Sequence, residues 1–429
     1  MSTLQSNGVH RIRWRSSGID GGWHLATAPL AAMLILWVWL SIQGLVMHPG
    51  HLVDVDFAVY QSAARVVSAG GNPYNHAVLL REERRLLSRV GNYAIRQPAL
   101  TRVGEPPILF WVLEPLAWLP FRLGAWIMNL ALLLLAAVGS LAAARALALS
   151  GKSSIRATIV VLMMPQTVIY ILNGNIGLLV FAALGVGVWL SRRFPAAAGA
   201  VLSLSVVKPQ VALPLAGCVL LFNSCSTRKS LAGFVLGSAC IVGASAATVG
   251  VKSLEWWLAG LRDFSTTIPT QGAMPSLAGI YVELAPSLQV ALSALCLAGA
   301  ALITAIVYCR LPRTPRPIPI VSLGWLWAVW FLAVPYCHLM DEIFLAPVLL
   351  AMLGHSDRRL QRAGLVILYG ALFSVLPVSV ADVSLIPAVP LAALAALIVY
   401  GRISGIEPSR TRTRREVKGP RVLQRRGTA

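Results

Sequence analysis

The sequence predicts an all-α integral membrane protein, a multi-span bundle of about twelve transmembrane helices with two larger external loops. Three observations carry that prediction. Hydrophobic residues make up 57% of the 429 and charged residues only 12%, with a mean hydropathy of +0.73; a soluble domain carries about 25% charged residues. Apolar runs recur along the chain, separated by short polar or basic clusters. Lipid offers a backbone no hydrogen-bond partners, so such runs are helices. The formal charge of +20 lies mostly in those clusters and in the two tails, which is how the cytoplasmic ends of a membrane protein look. Nucleic acid is therefore not an expected partner. The six cysteines (Cys218, Cys225, Cys240, Cys296, Cys309 and Cys337) form no C-x-x-C pair, so neither a disulfide framework nor a zinc site is indicated.

The elements follow from apolar length and basic flanks. Residues 1–26 are a basic N-terminus, held in the cytoplasm by Arg11, Arg13 and Arg15. Residues 27–400 form the transmembrane domain. Its first helix, Thr27–Met47, lacks a following small-residue cleavage site and is expected to stay as a signal anchor. Residues 48–105 form the first external loop, with an amphipathic helix from about Phe57 to Ala69 stopped by Gly70-Gly71, and a second short helix around Arg81–Arg85. Pro107–Phe121 is expected to be re-entrant or interfacial, because Arg145, Lys152 and Arg156 permit only one crossing before them; Gly124–Ala144 is that span. Ala157–Leu172 leads out to an Asn173-Gly174-Asn175 turn, and Ile176–Leu190 returns. Two short helices meet at Lys208-Pro209, since both flanks are basic and proline favours a break. Leu231–Val249 leads to a second external loop, 250–286, and Ser287–Tyr308 returns. Ile318–Val334, Ile343–Leu353, Gly364–Val380 and Leu385–Tyr400 complete the count, and 401–429 is a basic, disordered cytoplasmic tail that faces anionic lipid heads.

This threading puts the unusual residues near one face. Asp54 and Asp56 follow the first span, and Lys208 and His338 fall near the same outer side. Each has a plain reading. Asp56 at a helix start is most simply an N-cap. Asp54-Val55-Asp56 has the D-x-D spacing of some metal sites, but a divalent ion needs further oxygen ligands, so no metal is implied. Lys208 either snorkels to the interface or clamps an anionic group. His338 is either a structural residue near a helix end or a site contact. Asp341 and Glu342 follow it by three and four residues, on one helical face if the helix has begun. Trp256 and Trp257 read as interfacial anchors, Asn173 and Asn175 as a turn. Glu114, inside an apolar run, has no explanation in the sequence.

Taken in order, these residues resemble a known family. Asp56-Phe57-Ala58-Val59-Tyr60 followed by Gly70-Gly71-Asn72-Pro73-Tyr74 is similar to the first external loop of glycosyltransferase family 87. Pro106-Pro107 with Leu119-Pro120, the Asn173–Asn175 turn, Lys208-Pro209 and Pro335–His338 resemble its later segments. Glu105 departs from the pattern, which commonly has an aromatic before the two prolines. The resemblance implies a GT-C fold in the inner (plasma) membrane. It further implies sugar transfer, mannose or arabinofuranose foremost, from a polyprenyl-phosphate donor to a hydroxyl of a cell-envelope glycolipid or polysaccharide on the outer face. Asp56 matches the family's catalytic base; Lys208 and His338 match positions that contact the donor. Asp54, Tyr60 and Asn175 are further substrate-binding candidates. No cofactor is implied beyond the lipid-linked donor.

The chemistry suits those roles. A hydroxyl attacking an anomeric carbon needs a base, and Asp56 is one. A departing phosphate needs positive charge and no general acid, which Lys208 and His338 are expected to supply. One base and one clamp imply single displacement with inversion. The rival class is a transporter or lipid flippase, which usually shows internal repeats with matched broken helices; the sequence has no convincing repeat.

Overall fold

Every regular element among the described residues is a helix. The computed structural model describes residues 27–42, 55–88, 102–267, 274–279, 286–310, 320–355 and 358–375. Asp54, the expected Leu385–Tyr400 helix and both tails lie outside the described residues.

Helix α1 (Thr27–Ile42) is followed by α2 (Val55–Ser68) and α3 (His76–Ser88). Helix α2 is not the amphipathic helix expected: residues 57–64, Val66 and Val67 are all buried, the polar Gln61 and Ser62 among them, and only Asp56, Arg65 and Ser68 reach partial or full exposure. Gly70 ends it with φ +72°, a left-handed conformation that costs glycine nothing, and the Gly71 amide bonds back to the Val66 carbonyl at 2.8 Å. On α3, Leu79, Leu86 and Leu87 are buried while Arg81, Arg84 and Arg85 are exposed. Two short helices follow, α4 (Pro107–Val112) and α5 (Glu114–Ala117), each with a proline in its first two positions. They leave Trp111 and Trp118 exposed, as expected of an interfacial segment. Glu114 stands in the first turn of α5, where a carboxylate complements the helix dipole.

The long helix α6 (Phe121–Ala146) contains the expected Gly124–Ala144 span. Its outward residues, including Trp126, Leu130, Leu134 and Val138, are as apolar as its inward Met128, Leu132 and Ala136. Water would penalise such a face and lipid would not. The next expected helix, Ala157–Leu172, is instead two: α7 (Gly151–Met163) and α8 (Pro165–Asn173), bent by 58°. Pro165 has no N–H to donate and holds Met164 in an extended conformation (ψ 134°).

Helix α9 (Gly177–Leu190) packs along α6. A Cβ on Gly185 would lie 2.3 Å from the Gly139 carbonyl oxygen, so the two backbones approach too closely for any side chain there. That is how helices pack tightly in lipid. As expected, the chain breaks at Lys208 (φ −135°, ψ 68°). Helix α10 (Pro195–Leu202) with a 3₁₀ extension, Ser203–Val207, precedes it; α11 (Pro209–Cys218) with a π-turn, Val219–Asn223, follows.

Helix α12 (Thr227–Val249) leads to the second long loop, which holds a helix the sequence did not announce, α13 (Lys252–Thr267). The returning span is α14 (Gln289–Arg310), then α15 (Ile320–Ala333). The expected Ile343–Leu353 helix divides into a 3₁₀ segment, Leu339–Leu345, and α16 (Ala346–Leu353). Helix α17 (Arg358–Val375) begins six residues before the expected Gly364, because Arg358, Arg359 and Arg362 are good helix formers and continue it into polar surroundings.

Among the described residues three helices are long and apolar enough to cross a membrane, Phe121–Ala146, Thr227–Val249 and Gln289–Cys309, and the bent α7–α8 pair makes a fourth. The twelve spans expected from sequence are not reached on that criterion. Helix α9 and the pieces flanking Lys208 are apolar but shorter, broken at prolines and glycines.

Candidate active site

The turn between α8 and α9 organises the site. Gly174 closes α8 with φ +68°, and a Cβ there would fall 2.6 Å from the Phe57 Cβ; glycine therefore lets the start of α2 sit directly on the turn. Asn175 follows. Its Oδ1 accepts the Gly177 amide at 2.9 Å, which turns its Nδ2 toward Asp56, where it donates to Oδ2 at 2.8 Å. Asp56 is the second residue of α2, and its carboxylate faces Asn175. The N-cap reading of Asp56 is thereby replaced. Burial pushes the Asp56 carboxyl above its ordinary value, while the Asn175 bond and the Lys208 ammonium pull it back.

Lys208 sits at the break between α10 and α11, 8% exposed. Its Nζ lies 2.6 Å from Asp341 Oδ1 and 3.0 Å from the Tyr170 hydroxyl, which itself donates to Asp341. Sequence reasoning gave Lys208 no protein partner. The structure gives it one, because an unpaired ammonium so deeply buried costs several kcal/mol (order of magnitude). An ammonium has three donors; Asp341 and Tyr170 take two, which leaves one for a ligand.

His338 is the residue before the 3₁₀ segment, in extended conformation (φ −92°, ψ 158°). The helix has therefore not begun at His338, and the expected shared helical face with Asp341 is replaced by a cap: the His338 amide donates to Asp341 Oδ2 at 2.7 Å. The ring Nε2 meets the Tyr336 hydroxyl at 2.5 Å. Burial and then the Lys208 charge push the His338 pKa down to about 4, so the ring is neutral near pH 7. The expectation that His338 supplies positive charge is corrected; it offers a hydrogen bond. A folded pKa below the unfolded value of about 6.5 means that the unfolded chain binds the proton more tightly. Stability is thus full above about pH 6.5 and is lost as pH falls toward 4. Thermal melting of the purified protein across that window should show this decline, and His338→Gln should flatten it.

Tyr60, one helical turn after Asp56, donates to Glu105 Oε1 at 2.9 Å. Burial pushes the Glu105 carboxyl up, and the Tyr60 bond opposes it. Trp257 is 8% exposed and donates to the Gly104 carbonyl at 2.9 Å; it ties α13 to this segment and is not the lipid anchor expected of it. A cavity of about 10 Å³ beside Tyr74, Arg102 and Val103 has room for roughly one water and not for a sugar.

Asp56, Tyr60, Asn175, Lys208 and His338 are thus brought into one neighbourhood; Asp54 lies outside the described residues. Sequence reasoning missed Tyr170, which gives no signal inside its apolar run, and the role of Asp341, whose spacing from His338 was visible without its pairing to Lys208. It also missed Glu105, visible only as a departure from a pattern. Among the described residues no three His, Cys, Asp or Glu side chains gather as metal ligands.

The model of glycosyltransferase family 87 matches residues 105–335, more than half of the chain. The matched region contains Asn175 and Lys208; Asp56, Tyr60 and His338 flank it. No curated protein and no solved structure matches the chain.

Proposed function

From the premise that the chain belongs to glycosyltransferase family 87, and so is a membrane glycosyltransferase, we propose that it transfers a sugar from a polyprenyl-phosphate donor to a hydroxyl of a cell-envelope glycolipid or polysaccharide. In this reading the site opens away from the cytosol, and the sugar is mannose or arabinofuranose. The acceptor oxygen attacks the anomeric carbon as the bond from that carbon to the phosphate oxygen breaks. The proton goes to Asp56, and the electron pair leaves with the phosphate. Asn175 holds the Asp56 carboxylate in place. Lys208, anchored by Asp341 and Tyr170, directs its remaining donor at the departing phosphate. His338, neutral, contributes a hydrogen bond to donor or sugar. One displacement inverts the anomeric centre.

The observation that carries this reading is a chain of contacts: Asn175 bonds the Asp56 carboxylate, its backbone amide bonds the Tyr170 carbonyl at 3.0 Å, and the Tyr170 hydroxyl lies 3.0 Å from Lys208 Nζ, although Asp56 and Lys208 are 152 residues apart in sequence. A proton acceptor and a cation share one region, as the displacement requires. The test is product formation by purified protein in liposomes given radiolabelled polyprenyl-phosphate mannose or arabinofuranose and an envelope lipid extract. Labelled glycolipid or glycan of inverted anomeric configuration is expected. No transfer from either donor would end the reading.

A further inference from the structure

Glu105 takes no part in the transfer step above, yet four hydrogen bonds fix it and its neighbour. The Tyr60 hydroxyl donates to Oε1 at 2.9 Å and the Gly104 amide to Oε2 at 3.0 Å. The Tyr74 hydroxyl donates to the Glu105 carbonyl at 2.6 Å, and Trp257 to the Gly104 carbonyl at 2.9 Å. The aromatic donors come from α2, the segment after it and α13, three separate pieces of chain. Orientation this firm is what a binding group needs.

Both carboxylates also depend on helix α2: Asp56 is its second residue and is held by Asn175, and Tyr60, one turn further along, holds Glu105. Asp56 and Tyr60 stand four residues apart on α2, about 6 Å along its axis. A carboxylate accepts about four hydrogen bonds, and two positions of Glu105 are filled. Among the described residues it forms no ion pair. Packing alone gives no reason to keep an unpaired carboxylate in partly buried surroundings, where its charge is costly.

We infer that Glu105 selects the acceptor: it accepts a hydrogen bond from a second hydroxyl of a sugar or polyol whose nearby hydroxyl reaches Asp56. The inference rests on the proposed transfer reaction. A charged acceptor strengthens such a bond. A site built to bind a hydroxyl rejects the analogue that lacks it far better than an apolar pocket distinguishes sizes. Glu105 is then a specificity residue, and Tyr60 and Tyr74 position it.

The test uses the full chain in detergent, with octyl glycosides of mannose and arabinofuranose and their monodeoxy analogues as probes, binding being followed by tryptophan fluorescence. Wild type should bind at least one parent glycoside, and removal of one hydroxyl should weaken it about tenfold or more. Glu105→Gln should bind that parent about tenfold more weakly and no longer distinguish it from the deoxy analogue. Affinity for polyprenyl phosphate should be unchanged. If Glu105→Gln fails to fold, Glu105→Asp, which keeps the charge and shortens its reach, carries the same readout. Wild-type discrimination retained in the variant, equal loss of donor and glycoside binding, or no glycoside binding by wild type would overturn the inference. Transfer measured on the same samples separates the two proposals. Discrimination by Glu105 without transfer from any polyprenyl-phosphate sugar would remove the reaction and leave the binding role. Transfer with an unaltered Glu105→Gln would do the reverse.

Discussion

Asp56→Asn should lower turnover by about 100- to 10,000-fold, the range for loss of a general base, while the protein remains folded in the membrane. The amide keeps the shape of the carboxyl and an oxygen that can still accept from Asn175 Nδ2, so α2 stays seated on the Gly174 turn. What it cannot do is take the acceptor proton. Asn175→Ala separates positioning from chemistry. The Asn175 bond favours the charged form of Asp56, against burial that disfavours it. Without that bond the Asp56 pKa rises further, so the acid limb of kcat/KM against pH should move to higher pH. A base must be deprotonated to work, so activity near neutral pH falls with that shift. Turnover by purified Asp56→Asn within tenfold of wild type would remove Asp56 from the mechanism. An unmoved acid limb in Asn175→Ala would remove Asn175 from its support.

Lys208→Ala should have the second large effect, on stability as well as activity. It leaves Asp341, fully buried, without its counter-charge, and breaking a buried pair from one side costs about 3–5 kcal/mol. The Tyr170 hydroxyl still donates to Asp341, which places the cost toward the lower end of that range. Replacing both partners, Lys208→Met with Asp341→Leu, removes two desolvated charges together and should recover part of the melting temperature, the rest being lost because the Tyr170 hydroxyl and the His338 amide no longer have their acceptor. It should not recover use of the lipid donor, because the ammonium aimed at the phosphate is gone. Thermal melting and initial rates against donor concentration check both arms. A stable double variant with wild-type donor dependence would make the pair a structural tie only.

Much of the fold was legible because lipid imposes simple rules. Apolar length identified α6, α12 and α14, and Gly70-Gly71 marked the end of α2. Lys208-Pro209 marked a break, since proline acts locally and leaves its mark in sequence. The bend at Pro165 had the same signal, but the surrounding apolar run read as a continuous span. Helix α13 and the early start of α17 were hidden by polar residues, which periodicity weighs as loop although they are good helix formers. At the site, the candidates named from the sequence were unusual for their surroundings: an acid after a span, a lysine within an apolar stretch, a histidine beside two acids.

The amino-acid order alone therefore determined that this chain lives in lipid, which runs are apolar helices, and which few polar residues are too costly there to be incidental. Only the tertiary structure decided their partnerships. Lys208 belongs to Asp341 and Tyr170, Asp56 to Asn175, and Tyr60 to Glu105. It also decided that His338 is neutral beside a cation. The reason is that cost of burial is a property of one residue and its local segment, whereas a hydrogen bond or ion pair depends on where a second segment, 38 to 171 residues away, comes to rest.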